Sequence, residues 1–216
     1  MAYQRSPLMK KRLSDNRQQI KLAARRLIAL GGFREASITA VAQNVGLSTG
    51  AIYRYFPSKA ELFIEVLGDA VSHEVTILRG LLEGEGSPVD QLYAAVESFA
   101  TRALKGPHLA YAFIAEPIDS DVEAARMAGR AQFIAVFEDI LRAGIKRGFF
   151  PAQMPDVAAA CIVGAFTEAL IRPVAPAARP ADDKKLVKAI ASLCVRAAGV
   201  AISPVETTAK RVKPKR

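Results

Sequence analysis

The chain has few of the residues that build catalytic or metal centres. Its 216 residues include two histidines, two cysteines and no tryptophan. The sequence contains neither a nucleophile elbow nor a phosphate-binding loop, and no His, Cys or carboxylate cluster has metal-ligand spacing. We therefore expect that the protein is not an enzyme and that it holds neither a metal nor a cofactor.

Long apolar runs are absent as well. No stretch of about 18 uninterrupted apolar residues occurs, and no apolar run of signal length follows the first basic residues. We expect a soluble, cytoplasmic protein with no membrane partner. Cys161 and Cys194 lie far apart in apolar helical segments without CxxC spacing. That placement indicates buried thiols, and the alternative is a disulfide or a metal site.

Acidic residues are scarce in the first part of the chain. Residues 1–60 hold eleven basic side chains but only Asp15 and Glu35, whereas residues 61–204 hold 14 basic and 18 acidic ones. The last twelve residues add five basic side chains against Glu206, and the formal net charge of the whole chain is +9. A basic N-terminal surface on a mildly acidic body indicates a polyanionic partner, and nucleic acid above all.

Strand-like alternation is almost absent, and the dominant period of the apolar residues is helical. Half of the residues are apolar (51%) and about a quarter are charged (24%), which is the balance of a folded chain. The sequence therefore predicts an all-α fold. Residues 1–13 have basic side chains around Pro7 but no periodic apolar face, and we expect a flexible basic arm there.

The first helix is expected to be capped by Ser14 or Asp15 and to end at Gly31 and Gly32. Basic residues recur at four-residue spacing on one stripe of this helix, away from its apolar stripe. We expect that face to be solvated or to meet phosphates. It carries Arg17, Lys21 and Arg25.

Residues 36–56 predict a helix-turn-helix. Ser37 is placed to cap a short helix through Val45, Gly46 allows a sharp turn, and Ser48 is placed to cap a second short helix that ends at Tyr55 or Phe56. The second helix has small hydroxyls, a glycine and tyrosines where a plain helical hairpin would expose charged residues. Such side chains allow close approach to base edges and contacts to phosphates.

A longer helix is predicted from Lys59 to residue 82, with a capping box at residues 58–61. Together with the second short helix, its start reads STGAIYRYFPSKAEL over residues 48–62. This segment resembles the TetR family of transcriptional regulators, whose motif is approximately S-x-G-x-x-Y-x-H-F-x-S-K-x-x-L. The resemblance covers residues 15–67, and Tyr55 stands where histidine is common.

The resemblance implies a fold and a set of contacts to DNA. An N-terminal three-helix helix-turn-helix domain, residues 14–60, would precede a helical ligand-binding and dimerisation domain, residues 61–203. Thr49 and Gly50 would approach bases, and Thr39 would contact a phosphate or a base. Phosphate contacts would come from Ser48, Tyr53, Tyr55 and Lys59, and Arg54 would reach a guanine or a phosphate. The alternatives are a capping role for Ser48, packing for Tyr55 and solvation for Thr39 and Arg54.

Helices are predicted in the body over residues 87–105, 108–116, 120–147, 155–171 and 182–202, the third of them with a capping box at residues 120–123. Their aromatic residues would line a cavity for an amphipathic small molecule, together with a few polar groups, which are His108, Glu116, Arg130 and Glu168. Ordinary core packing is the alternative, and the family resemblance favours the cavity. The candidate lining residues are Phe99, His108, Tyr111, Phe113, Glu116, Phe133, Phe137 and Phe166.

The last two predicted helices carry apolar or small residues at the spacing of a helix-helix seam. The resemblance implies that this helix pair forms a homodimer through a four-helix bundle, and the alternative is that both stripes face the core of the chain itself. The candidate interface residues are Cys161, Gly164, Glu168, Leu186, Ile190, Leu193 and Ala197. The basic tail, residues 204–216, is expected to be disordered.

The sequence thus predicts a ligand-responsive transcriptional regulator. Most simply it is a repressor that binds a palindromic double-stranded DNA operator as a homodimer and that is released by a small hydrophobic or amphipathic effector. A DNA-binding protein without a ligand, whose body only dimerises, is the rival interpretation. The basic arm would either enter the minor groove or remain a tail without contacts.

Overall fold

The computed structural model describes residues 7–84, 86–176 and 183–200. Within these ranges the chain is helical and contains no strand, which confirms the all-α prediction. The helices are α1 (Pro7–Gly31), α2 (Ile38–Val45), α3 (Thr49–Tyr53), α4 (Lys59–Leu82), α5 (Pro88–Lys105), α6 (Pro107–Ile114), α7 (Ser120–Lys146), α8 (Pro155–Val174) and α9 (Asp183–Ala197). The predicted tail and the first six residues of the predicted arm lie outside the described residues.

Serine caps fix the starts of four helices. Each hydroxyl accepts the backbone N–H of the residue three positions later, which satisfies one of the donors that a helix N-terminus leaves unpaired. These caps are Ser37, Ser48, Ser58 and Ser87, at α2, α3, α4 and α5. At α5 the box is complete, because the Asp90 carboxylate also accepts from Ser87, and this contact lowers the pKa of Asp90. The capping predictions for Ser37 and Ser48 are confirmed, and Ser58 caps α4 as predicted. Of the box predicted at residues 58–61, the described contacts contain only this serine bond, without a return bond to the Glu61 carboxylate.

The first helix begins earlier than predicted. It starts at Pro7 rather than at Ser14 or Asp15, so residues 7–13 of the predicted arm are helical. Proline is favoured at the first position of a helix, and leucine, methionine, lysine and arginine all have good helix propensity. The sequence prediction began the helix where its periodic apolar face begins. A helical segment that extends beyond the packed part of the helix needs no apolar face.

Other boundaries shift for local reasons. The cap of α7 is Asp119, whose carboxylate accepts the Val122 N–H at 3.3 Å, so the box predicted at residues 120–123 is wrong. Aspartate caps as well as serine does, and its charge suits the helix dipole. Helix α6 ends at Ile114 rather than at residue 116, and α3 ends at Tyr53. Helix α9 ends at Ala197, shortly before Gly199 with φ +89°.

The described helices bury two hydrophobic clusters. The first joins α1, α2 and α3 to the N-terminal half of α4, together with Ala112 of α6 and Val122 of α7. The second is built by α5, α7, α8 and α9 and the C-terminal part of α4. Phe133 and Val75 contact both clusters. Helix α4 therefore belongs to both halves of the molecule, and the boundary at residues 60 and 61 remains a prediction.

Helix α8 is the most apolar of the long helices. By length and composition alone it is the one helix in the described ranges that is able to cross a membrane, but core helices of soluble proteins pass the same test. Phe166 and Leu170 on its inner face are fully buried in the second cluster. Cys194 of α9 is buried there too, and burial raises the pKa of its thiol to about 11. Cys161 is exposed, so burial is confirmed for one cysteine of the two.

Candidate nucleic-acid interface and ligand cavity

The turn between α2 and α3 has the geometry that the sequence predicts. Gly46 ends α2 in the left-handed conformation, with φ 67° and ψ 31°. The N–H groups of Gly46 and Leu47 bond to the carbonyls of Gln43 and Ala42, at 3.3 and 3.0 Å. This pairing satisfies the free carbonyls at the end of the helix. Two residues later Ser48 caps α3, so the helix-turn-helix is formed.

Helix α3 is held from one side only. Ile52 and the following Phe56 are fully buried in the first cluster and fix the orientation of the helix. Thr49, Gly50 and Tyr53 are exposed on its outer side, and Tyr53 keeps 48% of its surface accessible. A short helix with a buried anchor and an exposed outer face is suited to enter the major groove as a recognition helix.

Gly50 is not required by the packing of the chain. A Cβ atom added at this position would meet nothing within 4 Å. Glycine inside a helix is less favourable than alanine by roughly 0.5–1 kcal/mol. A solvent-facing glycine without a packing reason is therefore consistent with close approach of a partner outside the chain.

The other predicted contact residues lie at or near the ends of α2, α3 and α4. Thr39 near the start of α2, Ser48 and Arg54 at the two ends of α3, and Lys59 at the first position of α4 are exposed. The Lys59 ammonium lies 4.9 Å from the centroid of the Phe63 ring. Because Phe63 is buried, this contact holds the lysine at the positive end of α4, where phosphates bind well.

Tyr55 packs against the first helix, as the alternative interpretation has it. Its ring is half-buried, and its hydroxyl accepts a hydrogen bond of 2.8 Å from the Asn16 amide. Its backbone carbonyl accepts from the Arg17 guanidinium. A phenol that accepts still has a proton to donate, so a phosphate contact of Tyr55 remains a prediction.

The basic stripe of α1 is not a free phosphate-facing surface. Arg17 pairs with Glu65 of α4, and the Lys21 ammonium lies 2.7 Å from the Asp69 carboxylate and 3.8 Å from that of Glu65. Lys21 is only 8% exposed. The prediction for Arg17 and Lys21 is wrong, because the acidic partners are on α4, more than 40 residues away in sequence. The third member of the stripe, Arg25, is exposed.

A cavity of about 310 Å³ lies between α4, α5, α6, α7 and α8. Of the predicted lining residues, Phe99, Phe113 and Phe133 are in its wall. Phe137 and Phe166 are fully buried in the second cluster instead, and His108 and Tyr111 are half-buried on α6 outside the lining. The volume is at the small end of the range for ligand pockets, roughly 300–1,000 Å³.

Glu116 is not in the cavity wall but supports the junction between the two halves. Its carboxylate accepts the Phe33 N–H at 3.0 Å, just after the end of α1. A Cβ atom added at Gly32, where φ is +81°, would come within 2.5 Å of that carboxylate. The Glu116 backbone carbonyl in turn accepts from Arg126 of α7 at 2.9 Å. The predicted ligand role is therefore replaced by a structural one.

The polar groups of the cavity are mainly arginines. The sequence points to Arg130 but not to Arg25, Arg102 or Arg126. Arg102 pairs with Glu74, Arg126 pairs with Glu123, and Arg130 donates to the Thr167 hydroxyl. The exposed Arg25 of α1 also lines the cavity. A signal for Arg126 was present, since Arg126, Arg130 and Phe133 have the 4,3 spacing of one helix face. No group of three His, Cys, Asp or Glu side chains suited to a metal occurs in the described ranges.

The predicted dimer stripes divide into exposed and buried positions. Cys161 and Glu168 of α8 and Ala197 of α9 are exposed, Leu193 keeps 50% of its surface accessible, and Gly164 is half-buried with open space beside it. Ile190 is only 6% exposed and belongs to the core of the chain itself. Its prediction as an interface residue is wrong, because one face of α9 faces inward. Leu186 packs on the second cluster but is only half-buried, so its place in an interface remains a prediction.

The N-terminal part of the chain matches a known family. Residues 20–66 match the sequence profile described as "Bacterial regulatory proteins, tetR family". Two relatives are known from Mycolicibacterium smegmatis. The HTH-type transcriptional repressor KstR is 29% identical over 112 residues, 51% of this chain and 54% of KstR. The HTH-type transcriptional activator FasR is 32% identical over 85 residues, 39% of each chain. This chain thus spans about half or less of these relatives.

Solved structures resemble the chain over most of its length. The transcriptional regulator FadR from Bacillus subtilis, solved in complex with stearoyl-CoA, superposes with a TM-score of 0.73 at 18% identity. The match covers 83% of this chain and 98% of FadR. At this identity the likeness shows the fold, an N-terminal helix-turn-helix followed by a helical domain.

Proposed function

Because the chain belongs, through residues 20–66, to the tetR family of bacterial regulatory proteins, we propose that it is a ligand-responsive transcriptional regulator. It binds a palindromic DNA operator as a homodimer and is released by a small effector. In the simplest case the bound protein represses transcription. The similarity to the activator FasR as well as to the repressor KstR makes the direction of control a point for experiment. Such a protein acts in the cytoplasm.

The outer face of α3 is the observation that carries this proposal. It presents Thr49, Gly50 and Tyr53 to solvent on a helix that is anchored from behind by Ile52. Its side chains are short where a base edge would lie and hydroxyl-bearing where phosphates would lie. Arg54 and Lys59, both exposed, add positive charge just after the end of this helix.

Because the outer face of α3 is small, we expect the protein to bind DNA as a dimer. One short recognition helix makes few base contacts, whereas two helices about 34–36 Å apart read two successive major grooves. The outer faces of α8 and α9 provide a surface for association. Val157 and Leu193 are large apolar side chains that remain 49% and 50% exposed there. The small side chains of Cys161 and Gly164 permit close approach of a second helix.

Helix α4 connects DNA binding with the cavity. Its first residue, Lys59, follows the end of α3 by six positions, and five residues of its middle part, Leu67 among them, line the cavity. The distance along the helix from Lys59 to His73 is about 21 Å. A ligand that tilts α4 would change the separation of the two recognition helices in the dimer. DNA and ligand then weaken each other's binding by the same factor.

Fluorescence anisotropy of a labelled duplex tests the function. The proposed function requires binding that falls steeply with salt, because lysines and arginines displace counterions from phosphates. A ligand that binds the cavity must then release the bound duplex. Unchanged DNA affinity at ligand saturation would contradict the proposed mechanism.

The rival interpretation is a DNA-binding protein whose body only dimerises. Thermal unfolding in the presence of a panel of small molecules separates the two. A ligand that binds the folded state raises Tm by mass action, whereas a body without a site shows no shift. The cavity favours the ligand-responsive regulator.

A further inference from the structure

The charges around the cavity are unequal. Four arginines and two glutamates line it, which leaves two positive charges when His73 is neutral. Both glutamates are already paired, Glu74 with Arg102 and Glu123 with Arg126. No carboxylate of the described lining is therefore left to receive an organic cation.

In the described lining, Arg25 and Arg130 are the two arginines that pair with no carboxylate, and Arg130 is the one that a protein group orients. Within the described residues, its one polar partner is the Thr167 hydroxyl, at 2.6 Å from Nη2. A guanidinium has five N–H donors, so four remain without a protein acceptor. The side chain is exposed at the rim of the cavity, where water solvates these donors when the cavity is empty.

Thr167 orients this guanidinium. The threonine is 8% exposed, and its hydroxyl proton is committed to the carbonyls of Val163 and Gly164 on its own helix, at 2.7 and 3.1 Å. Its oxygen therefore faces Arg130 as an acceptor. A buried hydroxyl of fixed direction holds one edge of the guanidinium, and the other edge is left for a ligand that accepts two hydrogen bonds.

The wall beside Arg130 is apolar. Phe133 lies one turn further along α7, and its ring meets that of Phe99 edge to face with 5.5 Å between centroids. Val163 of α8 and Met127 of α7 also line the cavity. An apolar body would be buried against these side chains, with its polar end directed toward the rim.

We propose that the effector is an amphipathic anion, whose carboxylate or phosphate group pairs with Arg130 and whose apolar part packs on Phe99 and Phe133. This assignment rests on the proposed function, because it names the ligand class of the same cavity. Arg130 reads the charge of the ligand, and Thr167 is a positioning residue that acts through Arg130. Neutral molecules of equal size bind through the apolar wall alone, and cations are repelled.

Calorimetric titration with four probes that share an eight-carbon tail tests the proposal. The probes are octanoate, octyl phosphate, octan-1-ol and octyltrimethylammonium. We expect at least one anion to bind about tenfold or more tightly than octanol, since hydrogen bonds between charged groups are the strong ones. The ammonium probe should bind more weakly than octanol. The tighter of the two anions identifies the head group.

Substitutions test whether the preference for anions depends on Arg130 and Thr167. Arg130→Gln should abolish the advantage of the anion over octanol and leave octanol affinity within about twofold. Thr167→Val should reduce that advantage, and Arg130→Lys should retain part of it. Arg142→Gln is the matched control, because Arg142 lies on the same helix, is exposed and pairs with Glu138 away from the cavity. It should behave as the wild type. If Arg130→Gln does not fold, the anion preference of the Thr167→Val and Arg130→Lys variants tests the proposal instead.

Several results would overturn the assignment. These are equal affinity for octanol and both anions, no binding of any probe, an anion preference that survives the loss of Arg130, or one that the loss of the Thr167 hydroxyl does not reduce. Duplex binding, measured with the same protein preparations, distinguishes a wrong ligand class from a wrong proposed function. If the protein binds DNA but shows no anion preference, only the assigned ligand class is contradicted. Anion binding that leaves DNA affinity unchanged supports the ligand class and contradicts ligand-responsive regulation.

Discussion

Gly50 occupies an exposed position of α3 where the chain itself sets no limit on side-chain size. Gly50→Ala should therefore raise the free energy of unfolding by up to roughly 0.5–1 kcal/mol, because alanine is the better helix former. DNA affinity should fall at the same time, because the added methyl group would lie between the helix and the base edges. Thermal unfolding and duplex anisotropy measure the two effects.

Gly68→Ala in α4 is the control for this substitution. Gly68 is also exposed, in a helix, with open space around the position of a Cβ atom. It should stabilise the fold by a similar amount and leave DNA affinity unchanged. Equal DNA affinity of both variants would remove Gly50 from the interface.

Lys59 is expected to contact a phosphate rather than a base. Lys59→Ala should weaken binding to all DNA sequences about equally and reduce the slope of log affinity against log salt by about one. Lys146→Ala, at the exposed end of α7, should leave the slope unchanged. A salt series with specific and random duplexes measures both. An unaltered slope for the Lys59 variant would show that its ammonium does not replace a counterion.

Single residues were predictable where their role is local. Ser37, Ser48 and Gly46 act within four positions of themselves, so their types and spacing were sufficient. Arg17 and Glu116 were misread because their partners, Glu65 and Phe33, are 48 and 83 residues away. A single sequence contains no sign of such pairs. Of the cavity arginines, Arg130 was predictable from its place between aromatic residues on α7, whereas Arg25 and Arg102 come from other helices and have no such local sign.

At the scale of the elements, α4 and α7 are tightly packed where they cross at Gly129. A Cβ atom at Gly129 of α7 would lie 2.8 Å from Cγ2 of Val71 on α4, nearer than real contacts allow. Both residues line the cavity. The two helices thus meet at a point where neither can move toward the other, and a ligand that changes this contact acts on α4 directly.

Gly129→Ala should separate these helices and lower the free energy of unfolding by about 1–3 kcal/mol, the usual cost of overpacking. Gly80→Ala, where a Cβ atom would meet open space on α4, is the control and should not destabilise. Denaturant unfolding of both variants provides the values. Equal stability of the two variants would mean that the Val71 side chain moves aside with no loss of free energy and that α4 and α7 are not tightly packed at their crossing.

The order and type of the elements were predictable, but their ends were less so. The limits of α4 and α5 agree with the sequence prediction because a serine cap starts each helix and glycines follow it. Helix α8 runs past Pro173 to Val174, where the prediction ended it at residue 171. A proline in the last turn removes one hydrogen bond only, and burial of Val174 in the second cluster offsets that loss.

For the whole molecule, the exposed face of α8 and α9 decides the oligomeric state. Leu193→Arg should leave the fold of one chain intact, because this side chain is half-exposed, and should prevent association by placing a charge in an apolar interface. Sedimentation should show a dimer for the wild type and a monomer for the variant. Leu30→Arg, at a leucine 72% exposed on α1, should remain dimeric. A dimeric Leu193 variant would place the interface elsewhere.

The division of the chain into a DNA-facing part and a body was visible in the distribution of charge, but its meaning changes in the fold. Lys21 and Arg17 of the basic first 60 residues are neutralised by α4 rather than by DNA. Leu193 and Ile190 shared one predicted stripe on α9, yet only Leu193 faces outward. The spacing of residues in the sequence predicts which side chains share a helix face. The packing of several helices decides which of these faces remain exposed.

Selection of bound duplexes from a random pool tests whether α3 recognises operator DNA as part of a dimer. The wild type should enrich a palindrome with half-sites about one helical turn apart, and the Leu193→Arg variant should lose this enrichment. Sequence recognition by α3 would be contradicted by a wild type that enriches no sequence over the starting pool at a salt concentration where it still binds DNA.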